Sequence, residues 1–466
     1  MSKTHSLLVL GAFWKRVRPF IPVLPQGRTV KGCIKADDER RPSEPRMAFG
    51  KIVYVLLACV GGTKGKRVGS LRTALTAGFI LTLLFFISGQ KGYSFDSIDS
   101  VTQFLDTLSY EYKGFDIKLK NMSMGETYDD NVTYVNENKL EDFITTLGVG
   151  IGALYEGKAK TLEITTNIGH QEFAKNNDFN NDTQGLSIIY KSDISKYDHI
   201  SITNNFAHTD APIFFKSEIF QEQLSTTGKM DIFRNRFHTD YSRDVTKQMN
   251  ITFKYNNDMD IFTAANLPNS FYNSIGVESN YTITPNTIFL PSYDFSNRLF
   301  EGESDASINT ITPGVRQYIT KKIYFDGKAG LSFIDSFTDD SLVRPFLDTA
   351  FSYEVNNRTL AKMLFTKKVD TNPYTIDILD YWRTTASVAQ QLSERFRYSQ
   401  SIFYGNGEYI SFNTSYELVG TNTLLTYDIN RSLQGTFSYT FSHVDSNFEA
   451  GGYTKNTVFL GLTAEF

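Results

Sequence analysis

Cysteine is almost missing from this sequence, with two among 466 residues, and tryptophan is equally scarce. Both cysteines, Cys33 and Cys59, lie near the start. From residue 60 onward no disulfide framework, Cys-based metal site or redox dithiol can be built. Helical periodicity is missing as well: from residue 114 no stretch sustains an apolar period of 3.6. The single long apolar run, LTAGFILTLLFFIS at 75–88, is shorter than the roughly 20 residues of a transmembrane helix. Chemical signatures are also lacking. His170, His199, His208, His238 and His443 form no helical pair at ligand spacing, and there is no G-x-S-x-G elbow and no carboxylate cluster at metal-ligand spacing. The chain is therefore read as a non-enzyme with no cofactor and no nucleic-acid partner.

What is present is aromatic and alternating. Aromatics reach 14%, mostly 38 Phe and 26 Tyr, and Asn and Thr are frequent. This mixture suits strands with one dry and one wet face. The final segment NTVFLGLTAEF puts Val458, Leu460, Leu462, Ala464 and Phe466 on one parity and Thr457, Gly461, Thr463 and Glu465 on the other, with Phe459 the apolar intruder. The same period recurs in TLEITTNIGH, MNITFKYN, KIYFDGKAGLSF and LQGTFSYTFS.

The N-terminal region divides by composition. Lys64, Lys66, Arg67 and Arg72 precede the apolar run and small residues follow it, which reads as a secretory signal peptide over 67–89. Residues 1–66 are expected to be an extension that is removed or never translated, although LLAC around Cys59 resembles a lipoprotein processing box. Residues 1–89 hold 15 of the 47 Lys+Arg and 4 of the 51 Asp+Glu, so the remainder carries −15 although the whole chain carries −4. Residues 90–113 read as a periplasmic leader or short plug helix, with Ile98, Val101, Leu105 and Leu108 at helical spacing.

Connections separate two fold classes. Tight polar links at 156–160, 195–198, 242–247, 284–286, 320–322, 355–358, 393–395 and 430–432 alternate with longer ones near 128–141, 171–182, 209–230, 258–269, 297–304, 335–343, 370–377, 406–415 and 446–452. A soluble sandwich has no reason for such alternation, since both its ends face water. A membrane barrel does, with short turns on one side and long loops on the other. The expectation is an all-β transmembrane antiparallel barrel over 114–466, about 18 strands (16–18), closed by pairing FDIKLKNMSMGE (115–126) with the last strand. Pro313, inside TITPGVRQYI, is expected at a bulge or a loop-side position, because proline cannot donate to a ladder.

Three segments, GETYDDNVTYVNENKLEDFITTLGVGIGALYE (125–156), LTYDINRSLQGTFSYTFSHVDSN (425–447) and YTKNTVFLGLTAEF (453–466), resemble the outer-membrane β-barrel porin family associated with capsular and extracellular polysaccharide systems. The resemblance implies an outer-membrane location, a pore or export role, polysaccharide export components as partners, and no catalytic residues. A terminal aromatic on an alternating strand is similar to the signal read by the barrel assembly machinery, which makes Phe466 the expected insertion signal.

Charge placement refines the expectation. Arg234, Arg236, Lys254, Arg316, Lys322, Lys328, Arg344, Arg383, Arg395 and Arg397 fall on parities assigned to the lumen, because a cation facing lipid at the midplane costs about 2–4 kcal/mol. They are the candidate pore-lining residues of a basic lumen for small anionic solutes or polymer. Asp240, Asp326, Asp348 and Glu163 share that face, so neutralisation within the wall is the competing reading. Acidic loops, such as Asp129, Asp130, Glu137 and Glu141, suit divalent bridging to lipopolysaccharide. The YDDN turn with Glu126 is a candidate cation site, with a solvated turn as the plainer account. The loop 209–230 carries Phe214, Phe215 and Phe220 and is expected to fold inward as a constriction. The alternative function is a plugged structural or adhesive barrel acting through its outer loops.

Overall fold

The computed structural model describes residues 110–466 except 113, 210–230, 264–267, 339–340, 372, 374–375 and 448–451. The extension, the signal peptide, nearly all of the leader, and Phe214, Phe215 and Phe220 lie outside the described residues.

Alternation becomes strand wherever it was read. In chain order the strands are β1 (Tyr110–Tyr112), β2 (Phe115–Asp129), β3 (Asp142–Glu156), β4 (Lys160–Phe173), β5 (Asn181–Asp193), β6 (Asp198–Thr209) and β7 (Ile232–Asp244). Next come β8 (Met249–Phe262), β9 (Ser270–Thr284), β10 (Thr287–Phe289), β11 (Ser292–Phe300), β12 (Asp305–Thr312), β13 (Gly314–Tyr318) and β14 (Ile323–Asp335). The last are β15 (Ser341–Asn356), β16 (Thr359–Thr371), β17 (Ile378–Gln391), β18 (Phe396–Tyr409), β19 (Thr414–Asp428), β20 (Leu433–Ser446) and β21 (Tyr453–Glu465). β10 with β11, and β12 with β13, are halves of single strands broken at Pro291 and Pro313. β1 pairs with the base of β2, beyond the point where β21 ends. The wall therefore has 18 antiparallel strands.

Closure is by β2 on β21, from Asn121↔Glu465 to Asp129↔Thr457. It leaves neither the first nor the last strand as an open edge, which is the condition for strands to sit in lipid. The outward parity is apolar around the wall: Met124, Phe253, Ile275, Ile311, Leu331, Met363, Ile402 and Leu460 are all exposed, Leu460 at 64%. Phe459 points inward, and its ring fills the space over Gly125 and Gly461 where a Cβ would collide. The intruder is thus packed against two glycines at the closing seam.

The tight links are turns at one end of the barrel, at 157–159, 194–197, 245–248, 285–286, 319–322, 357–358, 392–395 and 429–432. The long-loop end is less loopy than its sequence suggests. β18 and β19 run on to leave only 410–413, and β11 and β12 leave only 301–304.

Two local features correct the sequence reading. Pro313 occupies neither a bulge nor a loop: the register Ser292↔Thr312 continues unbroken to Phe289↔Val315 on its far side. A bulge does occur in β2, where the register shifts between Leu119 and Asn121. The extra residue, Lys120, switches the outward set from Phe115, Ile117 and Leu119 to Met122 and Met124. It turns its own amine inward, onto Glu163 and onto Thr165 Oγ1 at 3.2 Å.

Candidate functional site in the lumen

Cross-strand pairing decides what each inward cation meets. Arg234 lies opposite Asp260, and Arg236 opposite Asp258. Arg234 Nε donates to Asp260 Oδ1 at 2.7 Å, Arg236 Nη2 donates to both Asp260 oxygens at 2.8 and 3.0 Å, and Arg236 Nε lies 3.4 Å from Asp258. Asp260 itself is fully buried. Lys254 and Lys328 share Glu278, at 2.8 and 3.6 Å. Arg316 is paired with Asp326 at 2.5 Å, and Arg397 with Asp428 at 2.7 Å. Arg383 lies over the Phe403 ring, 4.7 Å from its centroid. Lys322 and Arg395 belong to the turns 319–322 and 392–395 rather than to strands, and Lys322 Nζ donates to Val355 O at 3.2 Å. The inner wall is thus a ladder of charge pairs.

The YDDN turn is a clamp across the closing seam. Asp129 pairs with Lys455 at 2.8 Å, and Asp130 accepts from Asn456 N and Nδ2, both at 2.7 Å. Lys455 Nζ also sits 3.4 Å from the Tyr134 ring centroid. Among the described residues no group of three or more His, Cys, Asp or Glu is arranged to hold a metal ion.

Arg344 leads to the feature that sequence reasoning missed. β15 and β16 pair from Asn356↔Thr359 up to Leu347↔Lys367 and no further. Yet β15 stays paired with β14 as far as Asp335↔Ser341, and β16 with β17 as far as Thr371↔Ile378. Pro345 stands at the break. Even-numbered residues of β15 donate toward β14, as Glu354 N–H does to Lys322 O at 2.8 Å. The N–H that Pro345 lacks therefore belongs to the β16 side, and the ladder parts there.

Beyond the break the outer end of β16 parts from β15 and turns inward toward β11, together with β17, which stays paired with β18 as far as Leu379↔Tyr409. Arg298 Nε donates to Thr371 Oγ1 at 2.9 Å. Arg298 is on β11, four strand spacings from β16 through β12, β14 and β15. That is about 19 Å along a wall with ~4.8 Å spacing, too far for a side chain to bridge if β16 stayed in the wall. Val369 and Ile378 join Phe300, Ala306, Ile308, Ile334 and Phe337 in one buried cluster, and Arg344 reaches Asp380 at 3.3 Å.

Arg298 differs in its surroundings from the cations singled out in the sequence. It is only 6% exposed. Its Nη1 donates to Ser270 Oγ at 2.7 Å, its Nε to Thr371, and its guanidinium lies 5.0 Å from the Tyr272 ring centroid. No carboxylate stands within ion-pair distance of it among the described residues. Sequence parity could have placed Arg298 inward, since it lies on the face of Asp294 and Ser296. Nothing local could have shown that β16 crosses to meet it.

The closed wall, its even strand number, its apolar outward band, and tight turns opposed to longer loops together make this a bacterial outer-membrane barrel. The tight turns then face the periplasm, and the end of β21 lies beside the last of them, where Glu465 N–H bonds Ser432 O. No family model matches the sequence, and no curated protein matches it. Among solved structures it is similar to the siderophore receptor PirA from Pseudomonas aeruginosa (9% identity, 77% of this chain and 81% of that one, TM-score 0.41). It is also similar to OccAB3 from Acinetobacter baumannii (8% identity, 75% of this chain and 98% of that one, TM-score 0.44). At these scores the overlaps carry nothing about cargo, and the assignment stands on the ladder and the outward band.

Proposed function

We propose that this barrel is a pore for anionic solutes, small anions or an acidic polysaccharide, serving a capsule or exopolysaccharide export system. One observation carries the reading: Arg298, where the outer end of β16 turns inward to meet it, is held by two hydroxyls and a ring rather than by a carboxylate. The other strand cations mostly have a carboxylate at ion-pair distance; Arg298 has Asp370 and Asp260 only farther off, and adds to the positive field that selects an anion. The barrel assembly machinery, and lipopolysaccharide around the acidic loops, are the partners of this reading.

Single-channel recording of the purified protein in a planar bilayer tests it. Discrete steps with an anion-selective reversal potential are expected, and Arg298→Gln should move that potential toward zero. A second reading, a plugged barrel that binds through its outer loops, is favoured by the apolar packing around Val369 and Ile378 inside the mouth. Folded protein that never conducts would replace the pore by that plug.

A further inference from the structure

Five of the periplasmic turns, at 194–197, 245–248, 319–322, 392–395 and 429–432, are the same object. Each opens with an aliphatic residue: Ile194, Val245, Ile319, Leu392 and Ile429. Its N–H bonds the carbonyl four residues on, Asp198, Met249, Ile323, Phe396 and Leu433 respectively, in every case at 2.9 Å. The second residue is Ser195, Thr246, Thr320, Ser393 or Asn430. Its side-chain oxygen accepts backbone N–H groups further round the turn, as Thr320 Oγ1 does from Lys322 and Ile323 at 3.1 and 3.0 Å and Asn430 Oδ1 from Ser432 and Leu433 at 2.9 and 2.8 Å. A short hydroxyl or amide at that position is what satisfies the turn's own donors. The first and second positions are thereby fixed by folding.

The turn's own hydrogen bonds do not fix the rest of the pattern. The five aliphatic residues continue the outward parity of their strands and stay exposed, from 37% at Ile429 to 62% at Ile194. Each turn then places an exposed cation in its second half: Lys196, Lys247, Lys321 with Lys322, Arg395 and Arg431. The turn at 392–395 also carries Glu394. Lys158 and Arg358 extend the basic set to two further turns at this rim, 157–159 and 357–358.

We propose that this ring of turns is a binding surface for anionic phospholipid in the periplasmic leaflet. Each aliphatic residue dips into the acyl boundary, and the cation beside it meets a phosphate. The chemistry is that of a long basic side chain at a membrane interface: an apolar anchor in lipid and a charge drawn toward a negative surface. Five repeats set around a closed rim contact several headgroups at once, so single substitutions do little and combined ones act together.

The test uses the full chain, extracted from bacterial outer membranes in polymer-bounded lipid discs without detergent. The probe is phosphatidylglycerol, measured as its share of disc lipid against its share of the parent membrane. The native protein is expected to enrich it about three-fold or more. A variant with Lys196, Lys247, Lys321, Arg395 and Arg431 all changed to Gln should show the bulk ratio, while still running as a folded, heat-modifiable band. Changing Lys196, Lys247 and Lys321 to Arg should keep the enrichment. Equal ratios in native and Gln-substituted protein would overturn the proposal. So would binding of a soluble acidic polymer to the rim that is lost in the Gln variant while phosphatidylglycerol is never enriched. Five Ile/Val/Leu→Ser substitutions that left enrichment intact would remove the aliphatic half of it.

Discussion

Pro291 and Pro313 face each other across neighbouring strands in the middle of the barrel wall. The pairs Ser292↔Thr312 and Phe289↔Val315 bracket them, and Leu290 N–H bonds Gly314 O at 2.8 Å on one side. Each proline still accepts a ladder bond, from Ser279 and Ala329 at 3.0 and 3.1 Å. Neither can return one, so the carbonyls of Ser279 and Ala329 each lose the donor a normal residue would supply.

Supplying one donor should strengthen the wall. Pro313→Val is expected to stabilise the barrel by about 0.5–1.5 kcal/mol, the net worth of one ladder bond. A higher midpoint in heat-modifiability gels would show it. An unchanged or lower midpoint would mean that the Pro conformation itself fits this strand better than an extended residue does.

Asp260 neutralises two arginines at once, through bonds of 2.7–3.0 Å to Arg234 and Arg236. Asp260→Asn should release positive charge into the lumen. The reversal potential in a salt gradient should shift toward stronger anion selectivity, with stability lower by about 1–3 kcal/mol. A shift toward cations would contradict the lumen assignment of both arginines.

The clamp of Lys455 on Asp129 lies where the barrel closes, with both side chains nearly inaccessible. Removing one partner leaves a buried charge, so Lys455→Met should cost about 3–5 kcal/mol. Lys455→Met combined with Asp129→Leu should recover most of that loss. Urea titration of the three variants would measure the coupling, and simple additivity would dissolve the pair.

Outside the strands, Lys175 donates to Glu141 at 2.5 Å and joins the loop 130–141 to the segment after β4. The hydrogen bond from Lys175 holds the Glu141 carboxyl below its ordinary value, with a second from Tyr128, and raises the Lys175 amine. A depressed acid stabilises above its unfolded value, near pH 4.3, and that contribution disappears as pH falls through the lower folded value. A raised amine contributes below its unfolded value, near 10.4, and that is lost on going more alkaline. Proteolytic nicking of the loop should therefore be least between these limits and rise on acidification. Glu141→Gln should flatten the acid limb, and an acid limb unchanged by that substitution would assign it elsewhere.

Much of this architecture is written locally. Period two fixes which side chains of a strand share a face, so the outward set of β21 and the inward set of β7 and β8 were readable. So were the turns, because Ser195, Thr320 and Asn430 satisfy donors only two or three residues away. Even the closure of the first strand on the last follows from the cost of an open edge in lipid.

The rest required the assembled barrel. Lys120 looks like one more alternating residue, and only its neighbours' register makes it a bulge that flips the outward set of β2. The inward cations were visible in the sequence, but their charge is not a local property. It is cancelled by whichever carboxylate the register brings opposite, as Asp258 and Asp260 are brought to Arg236 and Arg234. Pro345 showed that a donor was missing but not on which side. Arg298 meets Thr371 because the outer end of β16 parts from β15 and turns inward, a contact between residues 73 apart in the chain. Sequence patterning determined which face each residue took, since that depends on nearest neighbours. The tertiary structure alone decided which inward charges meet a carboxylate at ion-pair distance, since that depends on strands that meet only when the sheet has closed.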